Sequence, residues 1–161
     1  MMFGKPEPIG NPDCPLMLRW TLFKGKRGKL LVHRFMPNVQ DPDVHDHPRA
    51  LLVFVLRGSY DDMVLCPVCE GDRHSFWETP APCGHCKGTG LILGDHMHAG
   101  VIRYRKAEHA HATHAGPKGA WTVCLMGPVA REWGFWVNGQ WEQFRKYINT
   151  RGFVRRCPAE D

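Results

Sequence analysis

The run Asp43–Val44–His45–Asp46–His47–Pro48 constrains the fold of this chain more than any other stretch. In an extended strand, residues i and i+2 point to the same side, so His45 and His47 face one interior. Neutral imidazole is the commonest protein ligand of metals, and two on one strand supply adjacent corners of a coordination shell. Asp46 then points the other way, where it can hold a neighbouring backbone. The run therefore predicts part of a metal site on a β-strand.

The rest of the chain has the pattern of a β-rich protein. Leu51–Leu56 is apolar throughout and predicts a buried strand, and Arg57–Gly58–Ser59–Tyr60 predicts a glycine turn after it. Short strands separated by turn residues are typical of a barrel or sandwich. The helical spacing of apolar residues over Trp141–Ile148 predicts a short C-terminal helix. Further strands are predicted at 16–23, 29–35, 91–93, 101–105, 120–126 and 132–137.

These histidines and glycines resemble the two sequence motifs of the cupins. Aligned on His45 and His47, the first motif, G-x5-H-x-H-x3-E-x6-G, places its final glycine on Gly58. The second motif, G-x5-P-x-G-x2-H-x3-N, is matched in spacing by Gly100 and His111. The sequence departs from the motifs at the other marked positions, which are occupied by Val39, Leu51, Lys106, Glu108 and Ala115.

The resemblance extends to a family of small cupin-like (RmlC-like) proteins, many of them phage or bacterial proteins of unassigned function. It covers roughly residues 17–64 and 99–149. It implies an all-β, double-stranded β-helix barrel over 17–149, interrupted by an insert at 65–91, with an irregular arm at 1–16 and a tail at 150–161. Cupins often pair through edge strands, so the resemblance also implies a homodimer. The matching segments are Arg19–Trp20, Val32–Phe35, His45–Pro48, Leu56–Tyr60, Gly127–Pro128 and Trp133–Phe135.

The resemblance assigns the barrel metal to His45, His47 and His111. His109 shares a strand face with His111 by the two-residue period, so it is either a fourth ligand or a neighbour. Leu51 stands where the cupin motif has glutamate, and the resulting three-histidine site resembles the iron sites of thiol dioxygenases. Asp61 or Asp62 could still add a carboxylate. The expected metal is divalent: Fe²⁺, Mn²⁺, Ni²⁺ or Zn²⁺.

Four of the seven cysteines form two Cys-x-x-Cys pairs separated by 13 residues. Two such turns can close around one tetrahedral Zn²⁺. The segment resembles the Cys-x-x-Cys-x-Gly-x-Gly zinc knuckles of DnaJ-type chaperones. Four thiolates leave no open coordination position, so we expect a structural zinc that fastens the insert. The four ligands are Cys66, Cys69, Cys83 and Cys86.

Three residues are candidates for substrate binding: Tyr60, Arg103 and Arg105. They lie on strands that flank the expected pocket, and an inward arginine would favour an anionic substrate. Arg103 and Arg105 share one face of their strand, and the sequence leaves open whether that face is the inner one.

Composition bounds the remaining possibilities. The 161 residues suit one domain. The sequence contains no apolar run of about 18 residues, so no membrane span is predicted, and it shows no charged leader, so no signal peptide is predicted. Seven cysteines without a secretion signal predict metal ligands or reduced thiols, not disulfides, and hence a cytoplasmic protein. The net charge of +5 is modest and gives only weak support for a nucleic-acid partner.

Three functional classes fit the sequence. The first is a metal-dependent enzyme, either Fe(II) oxygenase-like or an isomerase, acting on a small, anionic substrate. The second is a non-catalytic cupin that binds a small ligand or metal. The third is a nucleic-acid or protein adaptor that works through the zinc knuckle, where basic and aromatic groups are grouped: Arg73, His74, Phe76, Trp77 and Lys87.

Overall fold

The computed structural model describes residues 4–72 and 82–151, which form a curled antiparallel sheet and one short helix. The predicted all-β class with a C-terminal helix is confirmed. In chain order the elements are β1 (Glu7–Ile9), β2 (Met17–Gly25), β3 (Gly28–Phe35), β4 (Val44–His45), β5 (Leu51–Leu65), β6 (Leu91–His98), β7 (Ile102–Arg105), β8 (His111–Met126), β9 (Gly134–Val137), β10 (Gln140–Gln143) and α1 (Phe144–Arg151).

The two long strands β5 and β8 pair along almost their whole length. On its other edge β8 pairs with β3 near its C-terminal end and with β4 at its first residue. The sheet continues from β3 to β2 and β1, and from β4 to β9 and β10. The free edge of β5 is covered by β6 and β7. The sheet therefore wraps around one interior, towards which β4, β5 and β8 all turn side chains.

The predicted turn at Gly58 is wrong, because β5 runs through this position as one continuous strand. The pairing register with β8 shifts between Val55 and Arg57 and again between Gly58 and Tyr60, so the strand is bulged here. Gly58 has a φ of 77°, and a Cβ atom on it would lie 2.0 Å from the carbonyl oxygen of Gly119. Only glycine fits that approach, and the bulges bend the strand so that the sheet can curl.

The two ends of the described chain also differ from the prediction. The arm expected to be irregular contains β1, which pairs with β2. The helix starts at Phe144 instead of Trp141, because Asn138 and Gly139, both with positive φ, turn β10 back onto β9. Tyr147 of the helix stacks on Phe135 with ring centroids 3.9 Å apart. In the described chain, no helix is long and apolar enough to cross a membrane.

Strand β5 is buried on one face only. Leu51 and Val55 are buried, whereas Leu52, Phe54 and Leu56 are exposed. The prediction that Leu51–Leu56 is buried throughout is therefore wrong for alternate residues, and the exposed ones form an apolar outer surface.

The described cysteines are in two states. Cys66, Cys69, Cys83, Cys86 and Cys124 are free thiols. Cys14 is disulfide-bonded, so the prediction that the cysteines form no disulfide is wrong for this residue.

Candidate functional site

Three histidines meet on the inner surface of the sheet. His45 on β4 lies directly opposite His111 on β8, and His47 follows two residues after His45 on the same side. The three ring centroids are 5.0 to 5.1 Å from one another. One nitrogen from each ring lies within 4.8 Å of the other two, and the Nε2 atoms of His47 and His111 are 2.9 Å apart.

This arrangement fits a divalent metal. Two nitrogens at right angles on a metal with bonds of about 2.1 Å would be about 3.0 Å apart, close to the distance between His47 and His111. Burial lowers the pKa of His45 and of His47, and the neighbouring rings lower that of His47 further. Both imidazoles are thus neutral near pH 7, which is the form that binds metal.

Asp62 of β5 forms hydrogen bonds with two histidines, His111 of the three-histidine group and the neighbouring His109. The residue is 2% exposed, and its carboxylate accepts hydrogen bonds from Nδ1 of His111 and from Nε2 of His109, the latter at 2.9 Å. Arg105 also donates to it at 2.8 Å. Burial alone would raise the pKa of Asp62, but the hydrogen bonds from His109 and His111 hold it well below its usual range. Because Nδ1 of His111 donates to Asp62, its Nε2 is the nitrogen that faces His47.

His109 was expected to be either a fourth ligand or a neighbour of the metal site. This residue precedes β8, and its ring stacks at a tilt on His111 with centroids 5.2 Å apart. It is not part of the three-histidine group but belongs to a second group of possible ligands with Asp62 and His111. Asp61, the other carboxylate considered, accepts from His96 at 2.6 Å on the exposed side of the sheet.

The histidines stand on the wall of a cavity of about 160 Å³. Tyr60 lies on this wall, and burial raises its pKa, so the phenol stays protonated. Arg103 and Arg105 do not line the cavity. Both donate to Asp95, at 2.6 and 3.0 Å, and Arg105 also pairs with Asp62. The two arginines considered for substrate binding are therefore occupied by carboxylates.

Six other polar residues line the cavity and were given no role from the sequence: Arg19, His33, Asp41, Asp43, Thr113 and Thr122. Arg19 and His33 fall in segments that resemble the cupin-like family. The two-residue period along β3, with Leu31, His33 and Phe35 on one face, could have indicated an inward histidine.

Asp46 fixes the position of β9 relative to the histidines. Its buried carboxylate accepts from the backbone amide of Gly134 at 2.7 Å, from Arg131 at 2.7 Å and from the indole of Trp141 at 3.0 Å. This side chain points away from the neighbouring His45 and His47, which is the arrangement that a strand requires.

The four cysteines of the insert form a second, separate group. The sulfurs of Cys66 and Cys83 are 4.0 Å apart, and those of Cys69 and Cys86 are 3.6 Å apart. Thiolates around tetrahedral Zn²⁺ are about 3.8 Å apart, given Zn–S bonds of about 2.3 Å. Although burial opposes it, hydrogen bonds from the Gly90 amide and the neighbouring thiols lower the pKa of Cys86 to about 6. The group fits a zinc ion.

Most of the surface considered for an adaptor lies outside the described residues, namely Arg73, His74, Phe76 and Trp77. Lys87 is described, and it is exposed in the turn after Cys86.

Comparisons with known proteins identify the fold. No protein-family model and no curated protein sequence matches the chain. Among solved structures, an RmlC-like cupin from Shewanella frigidimarina has a TM-score of 0.51 at 17% identity, over 82% of this chain and 94% of that one. The fold is that of a cupin.

Two longer structures have the same fold over part of their length. An oxalate decarboxylase variant from Bacillus subtilis has a TM-score of 0.51 at 12% identity, over 80% of this chain. The oxalate decarboxylase of Lactobacillus farciminis has a TM-score of 0.51 at 11% identity, over 81% of this chain. This chain spans only 28% and 32% of these two proteins. At such low sequence identities, the structural similarity establishes the double-stranded β-helix fold but does not establish an activity.

Proposed function

We propose that the protein is a metal-dependent enzyme of cupin type that acts on a small molecule, with His45, His47 and His111 as its metal ligands. The observation that supports this most strongly is the convergence of three imidazoles on the wall of one cavity. Three protein ligands leave further coordination positions for a molecule in that cavity. Fe²⁺ is the first candidate and the activity is oxygenase-like, with Mn²⁺, Ni²⁺ and Zn²⁺ as alternative metals.

The residues around the site have separable tasks. The metal, when bound, supplies a Lewis acid or, as iron, a redox centre. Asp62 orients His111, and Asp46 holds β9 against the strand that carries His45. Tyr60 keeps its proton and serves as a hydrogen-bond donor to a molecule in the cavity. His109 supports Asp62.

We further propose that Cys66, Cys69, Cys83 and Cys86 hold a structural zinc. The group is closed, because four thiolates complete a tetrahedral shell. Cys66 donates its backbone amide to the carbonyl of Gly90 at 2.9 Å, so the ends of the insert are already joined. The zinc then fastens a segment too short to bury a core of its own.

The test is the metal content of each chain, measured by elemental mass spectrometry on protein purified without added metal or chelator. We expect about one zinc and about one second metal per chain. The variant His45→Ala should lose only the second metal, and Cys66→Ala should lose only the zinc. Zinc alone, together with failure to take up added Fe²⁺ or Mn²⁺, would show that the barrel holds no metal site.

A second measurement separates an enzyme from a binding protein. Oxygen uptake by the Fe²⁺-loaded protein is followed over a panel of small molecules, with His47→Ala as the control. Uptake that depends on His47 indicates an oxygenase. Metal retention without turnover indicates a non-catalytic cupin that uses the same site.

A further inference from the structure

A row of polar side chains crosses the inner surface of the sheet inside the cavity. Arg19 on β2 lies opposite His33 on β3, and His33 lies opposite Thr122 on β8. All three line the cavity together with the metal-site histidines. The rows on either side are mainly apolar: one contains Met17, Phe35 and Ala120, and the other contains Leu31 and Cys124 with the exposed Thr21 at its end. An apolar row would pack this interior at lower cost, so packing does not explain the polar one.

Two members of the row lack the partner that burial normally requires. Thr122 is 1% exposed, and its Oγ1 has no hydrogen-bond partner in the described structure. Arg19 is partly buried, and among the described residues no carboxylate lies within ion-pairing distance of its guanidinium. Burial lowers the pKa of Arg19, and the charge of Glu7, which lies opposite Arg19 in the pairing of β1 with β2, partly opposes this. A buried hydroxyl and a buried cation both cost free energy unless something binds them.

His33 orients the arginine without adding charge. Nε of Arg19 donates to Nε2 of His33 at 3.4 Å. Burial, together with the nearby arginine, lowers the pKa of His33 to about 3, so this ring is neutral and accepts. The row therefore presents one positive charge and one free hydroxyl to the cavity. Asp41 and Asp43 also line this cavity, and their carboxylates already accept hydrogen bonds from the amide of Thr113 and the hydroxyl of Tyr147.

We propose that Arg19 and Thr122 bind the carboxylate of a small ligand that occupies the same cavity as the metal site. A guanidinium pairs with a carboxylate through two parallel hydrogen bonds, and the hydroxyl of Thr122 can donate a further one. One positive charge matches one carboxylate, whereas a phosphate dianion would leave excess negative charge in a cavity that already carries the carboxylates of Asp41 and Asp43.

For the other end of the ligand, this proposal rests on the proposed function, in which the cavity also holds a metal ion. Because His45, His47 and His111 line the same cavity, the ligand is a small carboxylic acid with a second oxygen, nitrogen or sulfur donor for the metal. The volume of about 160 Å³ is below the range of about 300–1,000 Å³ that drug-sized ligands occupy, which limits the acid to a few carbons. The expected preference for an anion is thus kept, but with Arg19 in the role considered for Arg103 and Arg105.

The proposal is tested by isothermal titration calorimetry on the full chain as purified. The probes are glycolate, lactate and succinate, their amides, and inorganic phosphate. We expect at least one acid to bind about tenfold more tightly than its amide, since a hydrogen bond to a charged group is stronger than one to a neutral group. Equal affinity for acid and amide, no binding of any acid, or tighter binding of phosphate would each overturn the proposal.

Variants of the polar row test whether its residues determine the affinity for the acid. Arg19→Met should weaken acid binding about tenfold or more and leave the metal content of the barrel unchanged. Thr122→Val should weaken acid binding several-fold yet raise the melting temperature, because it removes an unpaired buried hydroxyl. A purely structural threonine would give the opposite shift. Arg34→Met is the matched control, because Arg34 is on the outer face of β3, over Trp121.

The outcomes distinguish this proposal from the proposed function. Acid affinity that is unchanged in both Arg19→Met and Thr122→Val overturns the carboxylate site even if the barrel holds metal. A barrel without metal overturns the metal-dependent enzyme, while dependence of acid binding on Arg19 still supports the carboxylate site.

Discussion

At the scale of single residues, Asp62 connects the proposed metal ligand His111 to the rest of the sheet. It joins His111, His109 and Arg105 through one buried carboxylate. The hydrogen bond that Nδ1 of His111 donates to Asp62 fixes which nitrogen of His111 faces the cavity. A metal-ligating histidine whose other nitrogen loses its acceptor is free to change tautomer or rotate, so the effect of Asp62 should be visible in metal affinity.

We predict that Asp62→Asn lowers the affinity of the barrel for its metal by about 10- to 100-fold. The asparagine keeps the shape of the side chain but lacks the charge and one of the two acceptor oxygens that His111 and His109 use. The measurement is competition for Zn²⁺ or Fe²⁺ with a chromophoric chelator.

Asp61→Asn is the matched control for this prediction. Asp61 is the preceding residue of the same strand, and it pairs with His96 on the exposed side of the sheet. Equal metal affinities of the two variants would show that Asp62 plays no part in holding the metal.

The sequence predicts the members of this site unevenly. His45, His47 and His111 could be chosen from spacing because strand period and motif spacing depend only on local order. Asp62 could be named only as one of two adjacent carboxylates, since the bulges in β5 decide which of them turns inward. Arg19, His33 and Thr122 meet through the pairing of three strands distant in sequence, and no local pattern contains that register.

At the scale of secondary-structure elements, the same limit explains the errors in the fold. A glycine with positive φ suits a turn as well as a bulge, and at Gly58 only the approach of Gly119 from β8 decides between them. The helix boundary moved because the hairpin at Asn138 and Gly139 takes the residues before Phe144 into β10. Strands β2, β3 and β7 lie close to their predicted positions, because alternation and turn residues are local properties. Strand β8 begins at His111 instead of residue 120, and β6 runs to His98 instead of residue 93, because pairing with the long strand β5 takes their polar residues into the sheet.

The zinc proposed for the four-cysteine group should protect these thiols from chemical modification. We predict that a strong chelator exposes Cys66, Cys69, Cys83 and Cys86 to alkylation by iodoacetamide at pH 8, whereas Cys124 remains unlabelled. Cys124 is buried in the barrel, and burial raises its pKa to about 12, so almost no thiolate is present. Peptide mass spectrometry before and after chelation measures the labelling at each cysteine.

Two results would contradict this prediction. Rapid labelling of the four cysteines before chelation would show that no metal protects them. Labelling of Cys124 at the same rate as the other four would show that chelation unfolds the barrel, and that the knuckle is not a separate unit.

At the scale of the whole molecule, the outer surface of the barrel carries an apolar face, defined by Leu52, Phe54, Ile102, Tyr104 and Leu125. Tyr104 is 63% exposed, and Leu52 lies between Tyr104 and Leu125 in the pairing register. In the described structure β7 pairs only with β5, so this face reaches an open edge of the sheet. Large contiguous apolar patches on soluble proteins are characteristic of interaction sites.

We propose that this outer apolar face joins two copies of the chain, as the resemblance to cupins implies, and we predict that the protein runs as a homodimer in size-exclusion chromatography with light scattering. Introducing charge with Phe54→Lys and Tyr104→Glu should give a folded monomer, because a charge buried in an apolar interface is costly.

Leu93→Glu is the control, since Leu93 is exposed on β6 outside this face. A monomeric wild type, or a dimer that survives both substitutions, would rule this interface out. Since the inner residues are untouched, the metal content of the monomeric variant should equal that of the wild type.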